Sequence, residues 1–271
     1  MNTILTIAGS DCSGGAGIQA DLKTILAHGA YGMSVITALT AQNTTGVFGV
    51  LKIDEAFIGA QLDAVFTDFQ PDAVKVGMIA DAPAVHIICE KLRKYQARRI
   101  VVDPVLVSTS GTRLTGEDAL ACAKEELFPL ASLLTPNIPE AEALAGIPAG
   151  DRASMLLAAE KIAGQFGCAV LLKGGHMEGA ADDLLYDGLN HCWLYARRMD
   201  NPNTHGTGCT LSSAIACSLA DGLGMEEAVR RAKAYVADAI ADGLDLGAAR
   251  GPLNHGCRMS GNPIIIEEES S

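Results

Sequence analysis

The sequence predicts an α/β fold, in which a doubly wound, mostly parallel sheet carries helices on both faces as three layers. Short apolar runs alternate with longer helical patterns along the chain. The composition is 49% hydrophobic but only 4% aromatic, so the core is aliphatic, as in sheets buried on both faces. Polar and glycine-rich stretches follow several apolar runs, where such sheets bind ligands. No linker, low-complexity block or internal repeat is present, so one domain over residues 1–271 is expected.

Each predicted element rests on its own pattern. Short apolar runs predict buried strands at 4–8, 34–39, 73–76, 99–102, 132–134 and 169–172. Longer helical patterns predict helices at 18–27, 55–67, 82–95, 117–128, 139–145, 153–166, 209–221 and 225–241. Asp187-Gly188 separates two strand-like pieces, 183–186 and 192–195, and predicts a hairpin. Residues 264–267 fit either an edge strand or a frayed tail.

Charge and cysteine usage narrow the class of protein. The net charge of −12 argues against binding nucleic acid or an anionic membrane, because both require clustered Lys and Arg. No apolar run reaches the roughly 18 residues of a membrane helix, and the first residues show no signal-peptide pattern. The eight cysteines include no C-x-x-C pair. We therefore expect a cytoplasmic protein whose cysteines are reduced and mostly buried.

The segment 203–209, which reads Asn-Thr-His-Gly-Thr-Gly-Cys, precedes a strongly helical run. Gly206 and Gly208 allow a tight turn and a close approach to a ligand, and the first N–H groups of the helix can bind an anion. Cys209 falls in the first turn, where a lowered thiol pKa and an accessible thiolate are expected. Such a site suits phosphoryl transfer to a hydroxyl. The alternative is a plain helix start with a buried cysteine, and His205 alone is a weak indication of metal.

A second glycine-rich segment, 8–21, also follows a strand and opens a helix. Gly14, Gly15 and Gly17 do not have the G-x-G-x-x-G spacing, which argues against a dinucleotide site. Asp21 is interpreted in two ways: as a hydrogen-bond partner of a polar heterocycle, or as an exposed carboxylate that favours a helix start.

Further polar residues follow other strands. Gln42 carries donor and acceptor groups that suit a ring nitrogen and an amino group, although a polar turn is the alternative. Asp103 and Glu140 can hold Mg²⁺ directly or through water, or serve as strand-end and helix-cap groups. The Lys173 ammonium can bind a triphosphate, and the alternative is that it is an ordinary solvated lysine.

Several long motifs, in order, resemble the hydroxymethylpyrimidine/phosphomethylpyrimidine kinases of thiamin biosynthesis, within the ribokinase-like superfamily. The resemblance runs nearly end to end and is carried by segments 5–24, 31–43, 75–78, 102–105, 135–142, 172–176 and 203–209. It implies phosphorylation of 4-amino-5-hydroxymethyl-2-methylpyrimidine with ATP and Mg²⁺, usually followed by phosphorylation of the monophosphate to the diphosphate. It also makes a homodimer the expected assembly.

The same resemblance assigns roles to residues of this chain. The positions that match the pyrimidine pocket are Gly9, Asp21, Gln42, Met78 and Val105. Cys209 matches the position of the proposed base. The positions that match the anion hole are Gly206, Thr207 and Gly208. The positions that match the Mg²⁺ and nucleotide region are Asp103 and Glu140 for the metal, and Lys173, Asn137 and Thr207 for ATP. Cys12 fills a variable slot and brings a second thiol near the mouth of the pocket.

Three alternative functions remain open. A pyridoxal kinase, or a kinase of both rings, is the nearest, because pyridoxal is also a small heteroaromatic ring with a hydroxymethyl arm. A sugar kinase is disfavoured, because Cys209 replaces the Asp expected there. A catalytically silent pyrimidine-binding protein is disfavoured by the intact glycine loop.

Overall fold

A nine-stranded sheet forms the centre of the computed structural model, which describes residues 1–106, 116–175, 182–195, 201 and 203–257. Its strands are β1 (Thr3–Asp11), β2 (Tyr31–Asn43), β3 (Gly46–Lys52), β4 (Ala73–Val76), β5 (Ile100–Val102), β6 (Leu133–Leu134), β7 (Ala169–Leu172), β8 (Asp183–Tyr186) and β9 (His191–Leu194). Their spatial order is β3-β2-β1-β4-β5-β6-β7-β8-β9.

The six central strands of the sheet are parallel, in the order β2, β1, β4, β5, β6 and β7. Antiparallel strands complete both edges, with β3 on one side and β8 and β9 on the other. The carboxyl ends of β1, β4, β5, β6 and β7 therefore meet at one edge of the sheet. In β1 the pairing with β2 shifts register between Ala8 and Ser10, which bends the strand as it enters the glycine-rich segment. The predicted mostly parallel sheet is confirmed.

Helices cover the sheet on both faces. They are α1 (Gly17–Ala27), α2 (Glu55–Asp68), α3 (Ala82–Lys94), α4 (Glu117–Cys122), α5 (Ile138–Ala145), α6 (Arg152–Phe166), α7 (Thr207–Ala220) and α8 (Met225–Ala241). Buried residues of α2 to α6 form one aliphatic core with the sheet, and those of α1, α7 and α8 form a second core on the opposite face. Neighbouring strand residues such as Ile4 and Leu5 divide between the two cores. The three-layer prediction is confirmed.

Some predicted elements need correction. Strand β3 was not predicted, because it is an edge strand whose side chains are mostly exposed and it shows no buried apolar run. The helix predicted at 117–128 ends at Cys122 and continues as a π turn and a 3₁₀ turn. The hairpin of β8 and β9 is confirmed. Residues 264–267 lie outside the described residues. Within the part of the chain that the structure describes, no helix is both long enough and apolar enough to cross a membrane.

Candidate active site

Three neighbouring strands bring polar groups together where they end. Asp103 follows β5, Thr135 follows β6 and Lys173 follows β7. Lys173 Nζ lies 2.9 Å from Asp103 Oδ1, and Thr135 Oγ1 donates a hydrogen bond of 3.0 Å to the same oxygen. The Asp103 and Glu140 charges raise the pKa of Lys173 against the lowering effect of burial. Lys173 is thus an ion-paired lysine, and the solvated alternative is wrong.

The start of α7 lies against this ion pair. A Cβ added at Gly208 would stand 3.1 Å from Asp103 Oδ2 and 3.4 Å from Lys173 Nζ, so only glycine allows this close approach. No side chain caps α7 in the described structure, which leaves first-turn amides for an anion. Thr207 uses its own amide and hydroxyl locally, both donating to Thr204 O. The helix start and the Asp103–Lys173 pair together form a polar site suited to phosphate.

Cys209 lies in the first turn of α7 and is partly exposed. The neighbouring Gly17 backbone acts to lower the pKa of its thiol. Burial nevertheless raises the pKa of the thiol to about 11, although the nearby Lys75 charge acts in the opposite direction. The expectation of a lowered pKa is therefore wrong, because desolvation of the thiolate outweighs the favourable helix terminus. The thiol is protonated at neutral pH.

Asp21 is fully buried beneath this cysteine. Both of its carboxylate oxygens accept hydrogen bonds from Lys75 Nζ, at 2.9 and 2.8 Å. The carboxylate also accepts hydrogen bonds from Thr6 Oγ1 at 2.6 Å and from Ser213 Oγ at 2.8 Å. The interpretation as an exposed helix-start carboxylate is wrong. Its contact with a substrate stays a prediction, because the carboxylate has no exposed surface in this conformation.

The structure brings Gly9, Met78 and Val105 to one place. A Cβ added at Gly9 would lie 3.2 Å from Met78 Sδ, and Met78 packs with Ala38, Ala80 and Val105. A hydrogen bond of 2.7 Å from Thr37 Oγ1 holds the Met78 carbonyl. The result is a small apolar cluster at the carboxyl edge, made of three of the five positions expected to contact the pyrimidine.

Gln42 belongs to strand β2, so the alternative of a polar turn is wrong. Its side-chain amide lies 3.4 Å from His205 Nε2, and His205 Nε2 lies 2.8 Å from Asp11 Oδ2. Cys12 is exposed, and its sulfur contacts the backbone of Gln42. The sequence placed Asp11 and His205 in glycine-rich segments but did not indicate that these segments meet. His176, at the end of the segment 172–176, lies outside the described residues.

Asn137 and Glu140 form a capping box at the start of α5. Asn137 accepts a hydrogen bond from the Glu140 amide and Glu140 accepts one from the Asn137 amide, each 2.9 Å long. The cap interpretation is thus confirmed for Glu140. Burial raises the pKa of Glu140 to about 7, with Lys173 lowering it and Asp103 raising it. Among the described residues, no group of three or more His, Cys, Asp or Glu side chains is arranged to hold a metal ion.

The fold, together with the polar groups at this edge of the sheet, defines the class of protein as a ribokinase-like phosphotransferase. The model of the phosphomethylpyrimidine kinase family matches residues 11–254. The chain belongs to the phosphomethylpyrimidine kinase family.

Individual relatives agree with this assignment. A hydroxymethylpyrimidine/phosphomethylpyrimidine kinase of Rhizobium meliloti is 51% identical over 255 residues, which are 93% of this chain and 96% of the relative. A thiamine biosynthesis bifunctional protein of Geobacter sulfurreducens is 50% identical over 93% of this chain, which spans 52% of that longer protein. The relatives of this chain therefore include a kinase of similar length and a longer bifunctional protein.

Solved structures show the same fold. The crystal structure of phosphomethylpyrimidine kinase from Clostridium difficile 630 matches with a TM-score of 0.80 and 46% identity, covering 89% of this chain and 100% of that chain. A Staphylococcus aureus pyridoxal kinase in complex with AMP-PCP and pyridoxal matches with a TM-score of 0.90 and 32% identity, covering 99% of each chain. The fold thus accommodates an ATP analogue in a similar kinase.

Proposed function

We propose that this chain transfers the γ-phosphoryl group of ATP to the hydroxymethyl oxygen of 4-amino-5-hydroxymethyl-2-methylpyrimidine, and then phosphorylates the monophosphate to the diphosphate. One observation carries the proposal: the uncapped start of α7 lies against the Asp103–Lys173 pair. Val105, which packs with Met78, follows Asp103 by two residues, so these apolar side chains lie at the same edge of the sheet. The name of the 51% identical relative supports the same substrates.

The pocket positions the reacting groups. The ring lies against Met78 and Val105, with Gln42 at its polar edge, and the hydroxymethyl oxygen faces Cys209. That oxygen forms a bond to the γ-phosphorus as the bond from the γ-phosphorus to its bridging oxygen breaks in line. Because the Cys209 thiol is protonated at neutral pH, it orients the alcohol rather than acting as a preformed thiolate base. The alcohol proton leaves late, to a phosphoryl oxygen, and the amides of Gly208 and Cys209 stabilise the transferred group.

Mg²⁺ is proposed to be the metal of the reaction, in which it neutralises charge on the phosphates. Asp103 and Glu140 would hold it. They fit because Mg²⁺ at a nucleotide site needs only one or two carboxylates together with phosphates and water. Lys173, which already interacts with both carboxylates, serves the nucleotide side. Asn137 and Thr207 are proposed as further nucleotide positions that hold the local backbone, since their side chains bond within the protein.

To test the function, purified protein is incubated with ATP, Mg²⁺ and either the aminopyrimidine or pyridoxal. The monophosphate and diphosphate products are then separated. We expect both phosphates of the aminopyrimidine to appear. Pyridoxal is the second candidate, favoured by the match to a pyridoxal kinase at 32% identity. Phosphorylation of pyridoxal alone, or no ATP consumption with either ring, would contradict the proposal.

A homodimer is proposed as the assembly, through the edge formed by β2 and β3. Apolar side chains there are exposed: Phe48 by 70%, Leu51 by 63%, Val50 by 45% and Leu39 by 41%. Leu39 and Leu51 lie opposite each other in the register, on the same face of the sheet. Exposed apolar side chains on an edge strand such as β3 favour pairing between two copies of the chain. The cytoplasm is the proposed location, because all eight cysteines are free and the reaction needs ATP.

A further inference from the structure

The chain segment 251–257, which follows α8, returns to the start of α7 and carries a buried histidine. The His205 amide donates a hydrogen bond of 3.1 Å to Gly251 O, so the segment runs beside the residues that precede α7. His255 is 5% exposed, and its Nε2 lies 3.0 Å from Oγ1 of Thr210, which is fully buried. An imidazole from the far end of the described chain therefore contacts the beginning of the proposed phosphate-binding helix.

Helix α8 holds this histidine in place. The Tyr235 hydroxyl is buried and donates a hydrogen bond of 2.8 Å to His255 O. The backbone is tied to the same helix one residue earlier, where the Asn254 amide donates to Ala239 O at 3.2 Å. Because two bonds fix the backbone on either side of its side chain, the position of the imidazole is set by α8.

The protons of this chain of groups can be assigned. Thr210 Oγ1 donates its one proton to Gly206 O at 2.9 Å, since a carbonyl oxygen only accepts. The contact with His255 is then satisfied only if Nε2–H donates to Thr210 Oγ1; the other tautomer would take the same proton and leave two oxygens facing each other. Burial lowers the pKa of His255 to about 4, and the Lys23 charge acts in the same direction, so the ring is neutral at pH 7 with its proton on Nε2.

The last acceptor of the chain is the residue from which α7 starts. Gly206 has φ +85°, and its carbonyl accepts both the amide and the hydroxyl of Thr210, each at 2.9 Å. A glycine does not fix its own backbone angles, so the orientation of this peptide is imposed by such contacts. Because the peptide unit is planar, fixing the Gly206 carbonyl also fixes the direction of the Thr207 N–H and the path on which the Gly208 and Cys209 amides follow.

We propose that His255 is a positioning residue of the kinase: through Thr210 it holds the Gly206 peptide and so directs the amides at the start of α7 towards the transferred phosphoryl group. The inference rests on the proposed function, in which those amides stabilise that group. Because His255 acts on the helix start rather than on a substrate, its loss should slow the transfer step and leave pyrimidine binding unchanged.

The test measures kcat, and the Kd of the aminopyrimidine by calorimetry, at a temperature well below the unfolding transition of each variant. His255→Phe and Thr210→Val each break the chain and should lower kcat about tenfold or more, with Kd within about twofold of wild type. His255→Gln and Thr210→Ser retain a donor at each position and should keep at least about a third of the wild-type kcat. Because both residues act in one chain, the double variant should lose no more than either single variant.

Ile88→Val is the matched control for a loss of stability alone. Ile88 is fully buried in α3, in the core on the other face of the sheet, so the variant should unfold at a lower urea concentration with unchanged kcat. If His255→Phe and Thr210→Val are destabilised in the same way but keep kcat within about twofold of wild type, the role of His255 is purely structural, and the inference is overturned while the proposed function stands.

Two further outcomes are decisive. If His255→Phe does not fold, the comparison of Thr210→Val with Thr210→Ser takes its place, and equal kcat values in these two variants refute the inference. Wild-type protein that phosphorylates neither ring contradicts the proposed function, and the inference falls with it.

Discussion

At the scale of single residues, the chemistry of Cys209 depends on competing electrostatic effects. A helix start and the Lys75 ammonium both favour a thiolate. Burial disfavours it, and the negative charges of Asp21 and Asp103 add to that effect. Because burial outweighs the favourable charge, the pKa rises to about 11. The position of Cys209 in the first turn of the helix was predictable from the glycine loop. The protonation state of its thiol depends on groups that are distant in the sequence.

Alkylation of the free protein tests this protonation state. Below its pKa, the thiolate fraction of a cysteine grows about tenfold for each pH unit. The rate at which iodoacetamide modifies Cys209, followed by mass spectrometry, should therefore rise steadily from pH 7 to 9.5 with no plateau. Modification of the exposed Cys12 in the same samples is the internal reference for reagent access. A plateau for Cys209 below pH 8 would show that the thiol is acidic after all.

Two substitutions of Cys209 distinguish an orienting group from a thiolate base. Cys209→Ala removes the hydrogen-bond partner of the alcohol and should lower kcat by on the order of 100-fold with little change in KM, since geometry controls a loose transition state. Cys209→Ser retains a partner of similar shape and should keep at least about a tenth of the wild-type kcat. Equal losses in the two variants would favour a thiolate base, and wild-type turnover in the alanine variant would remove Cys209 from the mechanism.

At the scale of elements, the two glycine-rich segments are parts of one structure. Gly206 has φ +85°, and a Cβ there would overlap Gly15 O. A Cβ at Gly15 would in turn overlap the His205 ring. The backbone of the first segment therefore packs directly on the segment before α7, and the Asp11–His205 pair ties the two together. The turn at Gly14, Gly15 and Gly17 was predictable, but the packing of Gly15 against His205 was not.

A matched pair of substitutions separates backbone strain from this contact. Gly206 and Gly222 share φ +85°, but nothing lies within 4 Å of a Cβ at Gly222. Gly222→Ala should cost about 1 kcal/mol of the free energy of unfolding, from the backbone conformation alone. Gly206→Ala should cost at least about 3 kcal/mol, because a main-chain segment must also move. Urea denaturation measures both, and equal costs would mean that the two segments do not pack as described.

At the scale of the whole molecule, the Asp21–Lys75 pair joins four elements beneath the site. Lys75 lies on β4 and Asp21 on α1, and hydrogen bonds reach Asp21 from Thr6 on β1 and Ser213 on α7. Ser213 lies one helical turn after Cys209, on the same face of α7. Both charges are fully buried, so the pair fixes how the helices lie on the sheet under the reacting groups.

Removal of one charge from this pair should be costly. Lys75→Met leaves a buried carboxylate without its cation and should lower the free energy of unfolding by about 3 to 5 kcal/mol. Lys52→Met is the control, because Lys52 is 58% exposed in its pair with Asp81, and it should cost less than about 1 kcal/mol. Chemical denaturation of both variants gives the comparison. A small effect of Lys75→Met would mean that Asp21 is protonated or reached by water.

The proposed dimer belongs to the same scale. Leu51→Asp places a charge in the exposed apolar surface of β2 and β3, and should shift sedimentation from dimer to monomer. Leu189→Asp is the control, because Leu189 is 90% exposed in the turn between β8 and β9, on the opposite edge of the sheet. A wild-type protein that sediments as a monomer at micromolar concentration would contradict the proposal.

The sequence by itself determined most of the order of elements, the parallel sheet, a helix that begins near 209 and the family, because periodicity and local motifs are short-range properties. It did not reveal β3, whose side chains are mostly exposed, nor the partners of Asp21 and His205. Only the tertiary structure decided the protonation of Cys209 and the ion pairing of Lys173. Those properties depend on burial and on charges brought together from distant parts of the chain, which no local pattern encodes.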